Sequence, residues 1–254
     1  SWKVDITEVD YRPYGQTTTI NITNIPADFK GKNLTIKIDG ISYVVPIVDG
    51  KATLRLNNLS AGSHMATVNY AGDANYSNIS QVFRPNIPQA IPTIALEEVN
   101  GDIVATVSGV NATGNVTFYL NGKEYTIDLT SGRTATLTKD YLIIGNNSIV
   151  AIYNGDKNYT SARTVGNFTV DKLASTVTVT VVDTEYGIPV EVIVQVGENQ
   201  TGFVEIYVNG LTYVGELKQG EARFYIMGLN VNKYTVNVTY YENDIYHSSK
   251  NSTS

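Results

Sequence analysis

Along most of the chain apolar and polar residues alternate with a period of two. Leu34, Ile36 and Ile38 share one parity, as do Val116, Phe118 and Leu120, and again Val204, Ile206 and Val208. Farther on, Ala66, Val68 and Tyr70 match Ile149, Ala151 and Tyr153, then Val236, Val238 and Tyr240. Successive side chains of a strand point to opposite faces, so this alternation predicts half-buried strands. No segment sustains a 3.6-residue period. The first set of strands runs into Asp39-Gly40, Asn121-Gly122 and Asn209-Gly210. Asp, Asn and Gly tolerate the two positive-φ positions of a type I′ turn, so each pair predicts a hairpin.

These segments recur as a repeat. LTIKIDG (34–40), VTFYLNG (116–122) and VEIYVNG (204–210) open it. Ala52-Thr53-Leu54, Ala135-Thr136-Leu137 and Ala222-Arg223-Phe224 follow. The copies close on YAGDANY (70–76), YNGDKNY (153–159) and YENDIYH (241–247). The offsets are 82 to 83 residues and then 87 to 88. Landmarks moving together in register mark an array of structural units. Gly15, Gly101 and Gly187 turn the chain between the first two strands of each copy. About seven short strands per copy, with a turn signal every 8 to 12 residues, is the pattern of an immunoglobulin-like sandwich. The expected fold is therefore all-β, with three tandem immunoglobulin-like β-sandwich domains over 1–88, 89–172 and 173–254. The linkers fall at 86–92, where two prolines leave little scope for ladder bonds, and at 171–175.

The third copy ends differently. After Tyr246 only HSSKNSTS remains, with no counterpart of Val82 and Phe83 or of Phe168 and Val170. The expectation is a truncated or absent last strand and an open edge on the strand before it.

Composition narrows the function. Hydrophobic residues make up 42% of the 254, enough for a core in each copy, while charged residues are only 17%. The net charge of −6 and the scattered Lys and Arg argue against a nucleic-acid partner. No apolar run is long enough to span a bilayer. The chain has no cysteine, which excludes disulfides and thiolate chemistry.

The strand ending in Asn-Gly, the Ala-Thr-Leu strand and the closing Tyr-x-Gly-Asp-x-Asn-Tyr loop resemble the bacterial Ig-like (Big) repeats of prokaryotic surface proteins. The abundance of Asn and Tyr and the scarcity of Lys and Arg look most like the adhesin-like proteins of methanogenic archaea. The resemblance implies an extracellular stalk that holds a distal binding region away from the envelope. It also implies a monomer whose glycan or protein partner is met through other regions. The alternative it leaves open is a module that contacts glycan or protein directly, with Tyr119 and Tyr207 on outer strand faces.

Catalytic chemistry finds little support. His64 and His247 do not recur between copies and are expected at the surface. The adjacent Glu97 and Glu98 face opposite ways on a strand. No phosphate loop, zinc spacing or EF-hand string is present, so no enzyme activity and no cofactor are expected. Asp73 with Asn75, or Asp156 with Asn158, would offer oxygens to Ca²⁺, but two residues are a thin shell for six to eight ligands. The competing expectation is that each Asp bonds loop amides while Tyr76 or Tyr159 packs beneath. A Lys–Asn isopeptide bond from Lys3 is disfavoured, since the matching strand of the second copy has no Lys. Thirteen Asn-x-Ser/Thr sequons occur, at Asn21, Asn33, Asn58, Asn75, Asn78, Asn111, Asn115, Asn146, Asn158, Asn167, Asn199, Asn237 and Asn251. Glycosylation and turn-then-strand grammar account for them equally well.

Overall fold

The computed structural model describes residues 2–29 and 32–254, and they form three antiparallel β-sandwiches. The first contains β1 (Asp5–Asp10), β2 (Thr18–Thr23), β3 (Asn33–Ile38), β4 (Ile41–Pro46), β5 (Ala52–Leu56), β6 (Gly62–Ser63), β7 (Ala66–Tyr70), β8 (Ile79–Phe83) and β9 (Asn86–Ile87). One sheet runs β1-β2-β5, the other β4-β3-β7-β8, and β6 pairs with β9.

The second contains β10 (Ile94–Val99), β11 (Asp102–Val107), β12 (Asn115–Leu120), β13 (Lys123–Asp128), β14 (Thr134–Leu137), a 3₁₀ turn (Lys139–Tyr141), β15 (Gly145–Tyr153) and β16 (Ala162–Val170). Its sheets run β10-β11-β14 and β13-β12-β15-β16. The third contains β17 (Thr178–Val182), β18 (Val190–Gln195), β19 (Phe203–Val208), β20 (Leu211–Glu216), β21 (Glu221–Ile226), β22 (Val236–Tyr240) and β23 (Ser249–Thr253), ordered β17-β18-β21 and β20-β19-β22-β23. This is the immunoglobulin-like plan, with the fourth strand on the sheet opposite the first.

The period of two converts directly into burial. Leu34, Ile36 and Ile38 on β3, Val116, Phe118 and Leu120 on β12, and Val204, Ile206 and Val208 on β19 are all buried between their sheets. At the hairpins Asp39, Asn121 and Asn209 take φ near +50°, each followed by a glycine at positive φ, as a type I′ turn requires.

Contacts divide the chain into two compact units, 1–141 with 148–167, and 142–147 with 168–254. The first two sandwiches lie in the former apart from the ends of β15 and β16; the third lies in the latter.

Three expectations change. The first linker is not bare of ladder bonds. Asn86–Ile87 pairs with Gly62–Ser63 of the first sandwich, and Ala90 forms a parallel bridge with Tyr159 of the second. Pro85 and Pro88 flank the pair without removing its donors, because Asn86 and Ile87 keep their N–H groups. Secondly, β23 exists. It has five residues, as β8 does, and pairs with β22 from Val236↔Thr253 to Tyr240↔Ser249. Ladder bonds come from the backbone, so a polar Ser-Lys-Asn-Ser-Thr segment suffices to make them. What is lost is packing: Ile79 and Phe83 lie against the first core, whereas Ser249 and Thr253 occupy those registers in the third. Thirdly, His64 is buried at 7% exposure, with Nδ1 against the Asp39 carboxylate and Nε2 2.6 Å from the Ser60 carbonyl oxygen. It pins the β5–β7 connection, its two ring nitrogens facing a carboxylate and a backbone carbonyl.

Ile87 is 4% exposed although its strand has only two residues. Replacing it by Ala should therefore destabilise the first sandwich by about 2–5 kcal/mol. Trp2, the single tryptophan, packs on that core, so its fluorescence in a urea titration reports the shift in midpoint. An unchanged midpoint would show that β9 contributes nothing.

Candidate functional site: the closing loops

Each sandwich joins its last two strands through the closing loop, and one local device builds all three loops. In the first, Asp73 Oδ1 accepts hydrogen bonds from the amides of Asn75 and Tyr76, both at 2.8 Å. In the second, Asp156 Oδ1 accepts from Asn158 and Tyr159 at 2.7 and 2.9 Å. In the third, Asn243 Oδ1 accepts from Ile245 and Tyr246 at 2.9 and 2.8 Å. A short side-chain oxygen two residues upstream of an amide makes an Asx turn, and Asp and Asn serve alike. The Gly-Asp step of the first two loops also needs its glycine. A Cβ on Gly72 would lie 2.8 Å from the Asn78 amide nitrogen, and one on Gly155 would lie 2.8 Å from the Tyr159 carbonyl oxygen.

The turn seats a tyrosine over the end of the sandwich. Tyr76 meets Phe29 edge-on at 4.5 Å between centroids, beside Trp2 and Tyr70, and its hydroxyl donates to Asp28 at 2.7 Å. Tyr159 lies over Gly109, where a Cβ would come within 2.6 Å of the ring, and its hydroxyl donates to the Val110 carbonyl. Tyr246 stands edge-on to the buried Tyr240.

The second oxygen of each carboxylate is also engaged. Asp73 Oδ2 takes an ion pair from Lys32 and a hydrogen bond from the Tyr70 hydroxyl at 2.5 Å. Asp156 Oδ2 accepts from the Thr113 amide and hydroxyl at 2.9 and 3.0 Å. In the third loop the same position is an amide group that donates: Asn243 Nδ2 reaches the Thr201 carbonyl at 3.2 Å and the Tyr240 hydroxyl oxygen at 3.0 Å. The polarity of the partner is matched to the polarity of the side chain in each case.

Proton affinities follow. Hydrogen bonds from Lys32 and Tyr70 hold the Asp73 carboxyl well below the usual range. For Asp156 burial pushes upward, and bonds from Thr113, Asn158 and Tyr159 together outweigh it, so the group still titrates low. Burial, with the nearby Asp156 charge second, raises Tyr153 to about 12.

The sequence candidates for Ca²⁺ thus spend their carboxylate oxygens on protein donors. Asn158 Oδ1 accepts from the Ala61 amide at 3.0 Å, a long-range contact with no local pattern to announce it. Among the described residues no group of three or more His, Cys, Asp or Glu is placed to hold a metal ion. His247 lies between Glu242 and Asp171 at 3.2 and 3.0 Å, and both acids raise its pKa, Glu242 the more. Lys3 is exposed, as are Tyr119 and Tyr207. Of the thirteen sequon asparagines, ten are exposed. The half-buried Asn21, Asn115 and Asn158 use their side-chain oxygens as internal acceptors.

The loops also engage the segment that enters their own sandwich. The Ala90 amide donates to Asn158 O at 2.9 Å and the Thr160 amide returns to Ala90 O at 3.0 Å. Leu173 repeats this in the second unit, donating to Ile245 O at 2.8 Å and accepting from His247 N at 2.9 Å.

No family model matches the chain, and no curated protein matches it. Among solved structures, one bearing on host cell surface retention of a 1.5-MDa bacterial ice-binding adhesin is 16% identical, covering 98% of this chain and 95% of that one, at a TM-score of 0.37. A putative membrane-anchored protein from Corynebacterium diphtheriae is 13% identical over 99% and 89%, at 0.29. The fibronectin(III)-like modules of Clostridium thermocellum CbhA are 14% identical over 66% and 94%, at 0.28. The fold assignment rests on the strand pairing above.

Exchanging Asp and Asn tests the polarity matching. Asp156→Asn brings an amide donor against the Thr113 N–H and should cost about 1–3 kcal/mol. Lower hydrogen-exchange protection at Asn158 and Tyr159 would record it; unchanged protection would show that Thr113 readjusts freely.

The pH dependence has a fixed sign. Asp73 and Asp156 titrate lower folded than unfolded, so their stabilisation is complete above about pH 4, the ordinary Asp value, and is lost as pH falls toward the folded values. Protection factors at Tyr76 and Tyr159 should decline on acidification while that at Tyr246, held by Asn243, does not follow them. Parallel decline at all three would mean that the carboxylates are not what holds the loops.

Proposed function

We propose that the chain is a non-catalytic spacer segment of a cell-surface, adhesin-like protein, projecting a distal binding region outward, with domains at 1–88, 89–172 and 173–254. The observation that carries this reading is the joint between the first two sandwiches. Asn86–Ile87 is laddered to one sandwich and Ala90 to the other, which leaves Pro88 and Gln89 between them. Those two are held as well. The Tyr14 amide donates to Pro88 O at 2.9 Å, and Gln89 Nε2 donates to the Asp156 carbonyl at 2.9 Å. Tyr14 also meets Tyr159 edge-on at 5.4 Å. A binding domain on a flexible tether has no use for such a joint, whereas a spacer must resist bending.

An extracellular location, glycosylation of exposed sequons such as Asn33 and Asn237, and kinship with the Big repeats of archaeal adhesin-like proteins belong to the same proposal. No helix of the described residues is long and apolar enough to cross a membrane.

Each sandwich adds on the order of 40 Å, from seven-residue strands at about 3.3 Å per residue plus end loops, so three in line would reach roughly 110 to 120 Å. Small-angle scattering should report an elongated particle. A radius of gyration near the compact value for this length, about 18 Å, would overturn the spacer reading.

One observation favours direct binding as a second reading. Phe203, Tyr207 and Tyr241 lie exposed on the outer face of the β19–β22 pair, and the Tyr241 hydroxyl is held by Glu205. Aromatic faces of this kind stack on apolar sugar faces. A glycan array probed with the chain should stay blank if it is a spacer; binding abolished by Tyr207→Ala would establish the second reading instead.

A further inference from the structure

The strand before each Asp-Gly or Asn-Gly hairpin carries an outward residue in the same register in every copy: Lys37 on β3, Tyr119 on β12 and Tyr207 on β19. What that residue meets is set by the strand paired on the side away from the hairpin. Lys37 faces Thr67 on β7, Tyr119 faces Val150 on β15, and Tyr207 faces Asn237 on β22. Directly opposed side chains of an antiparallel pair share one face of the sheet, with Cβ atoms about 5 Å apart. Asn237 and Tyr207 are both exposed, Tyr207 at 47%. Asn237 also begins a sequon, Asn237-Val238-Thr239. The third copy thus sets a glycosylation acceptor straight across from an exposed aromatic ring, where the other two have Thr67 or Val150.

The surroundings leave that ring open. On its far side Asn237 faces Ser252 of β23, a side chain too small to reach over to Tyr207. Along β19 the next outward positions are Glu205 and Phe203. Phe203 is 50% exposed, and it lies beside Tyr241, whose hydroxyl is held by Glu205. Ring surface left in water is unfavourable, and a pyranose offers a face of C–H groups that stacks on it. A sugar carried by Asn237 reaches Tyr207 without the entropy cost of capture from solution. Asn33 has no such partner: it is exposed on β3, but it faces Pro46.

We infer, on the extracellular reading proposed above, that Asn237 is a modification site whose linking sugar stacks on Tyr207. The donor is a sugar carried on a polyprenyl phosphate. Asn237 Nδ2 forms a bond to C1 of the sugar as the C1–O bond to phosphate breaks. The lipid phosphate leaves with that electron pair, and the proton lost from Nδ2 passes to a base of the transferase. The attached sugar covers ring surface that the protein itself leaves open, and it ties β22 to β19 by a contact outside the ladder. At Tyr207 the surface that favoured direct binding is then taken by the chain's own sugar.

The test is a double-mutant cycle on the full chain, with Asn237→Gln, Tyr207→Ala and the two together, made in two sets. One set is secreted from a eukaryotic host and trimmed enzymatically to a single N-acetylglucosamine at each occupied asparagine. The other is made without sugar in the bacterial cytoplasm. Mass spectrometry of the secreted chain should find Asn237 occupied. The amides of Glu205 and Thr239, which face each other in the β19–β22 ladder, report the contact by hydrogen exchange. In the secreted set Asn237→Gln should speed their exchange about threefold or more when Tyr207 is present, and little when it is replaced. In the sugar-free set the two substitutions should be additive. An unoccupied Asn237, additivity in both sets, or equal coupling in both would overturn the inference. The elongation measured by scattering does not depend on any of these outcomes, so the spacer reading stands or falls separately.

Discussion

A two-layer sandwich is sealed along its faces by alternation but open at its ends, and most of what distinguishes these three repeats is how each end is plugged. The faces need little explanation. Inward residues of β3, β12 and β19 are aliphatic or aromatic in all three copies and are fully out of water. Each buried aliphatic side chain supplies about 1.5–3 kcal/mol, and the ladder satisfies the backbone that comes in with it. At the ends the sheets diverge, the ladder stops, and a specific side chain has to be brought over the gap.

At one end that side chain is a tyrosine delivered by an Asx turn. The device survives replacement of its central acid, because what the turn needs is one acceptor oxygen at the right offset. Asn243 supplies it as well as Asp73 or Asp156 does, and the difference appears on the other atom of the group. There the surroundings have changed to suit: Lys32 and Tyr70 face a carboxylate, Thr113 faces a carboxylate, and the Thr201 carbonyl faces an amide. Both oxygens of the Asp73 and Asp156 carboxylates are thereby engaged by donors of the same sandwich. The acid is used twice over by its own sandwich.

Much of this was legible in the sequence because it is local. The period of two placed the strands, and Asp39-Gly40, Asn121-Gly122 and Asn209-Gly210 placed the hairpins. The Asp-x-x-Tyr spacing already contained the turn. What was not legible depends on residues far apart in sequence. That His64 is buried follows from Asp39 and the Ser60 carbonyl converging on it, and nothing near position 64 announces that. The pairing of Asn86–Ile87 with Gly62–Ser63 is missed because a two-residue strand between prolines has no pattern of its own. β23 is missed for the opposite reason, since a backbone ladder does not require the apolar side chains by which strands are recognised.

The end opposite the closing loop shows how one sandwich can be joined to another. In the first, the same few residues that cover it also build the joint: Ile87 is buried where it pairs with Gly62, and three residues later Ala90 is laddered to the next closing loop. Closing one repeat and fastening the next are therefore a single structural event, carried by one extended segment. The stiffness proposed for a spacer would follow from that economy of chain. With Pro88 and Gln89 alone between two ladders, and both hydrogen-bonded, bending the joint requires breaking β9 from β6 or Ala90 from Tyr159. Either break exposes a residue that the end of a sandwich needs buried. The resistance of the joint is thus set by the stability of the sandwiches themselves, which a separate flexible linker could not provide.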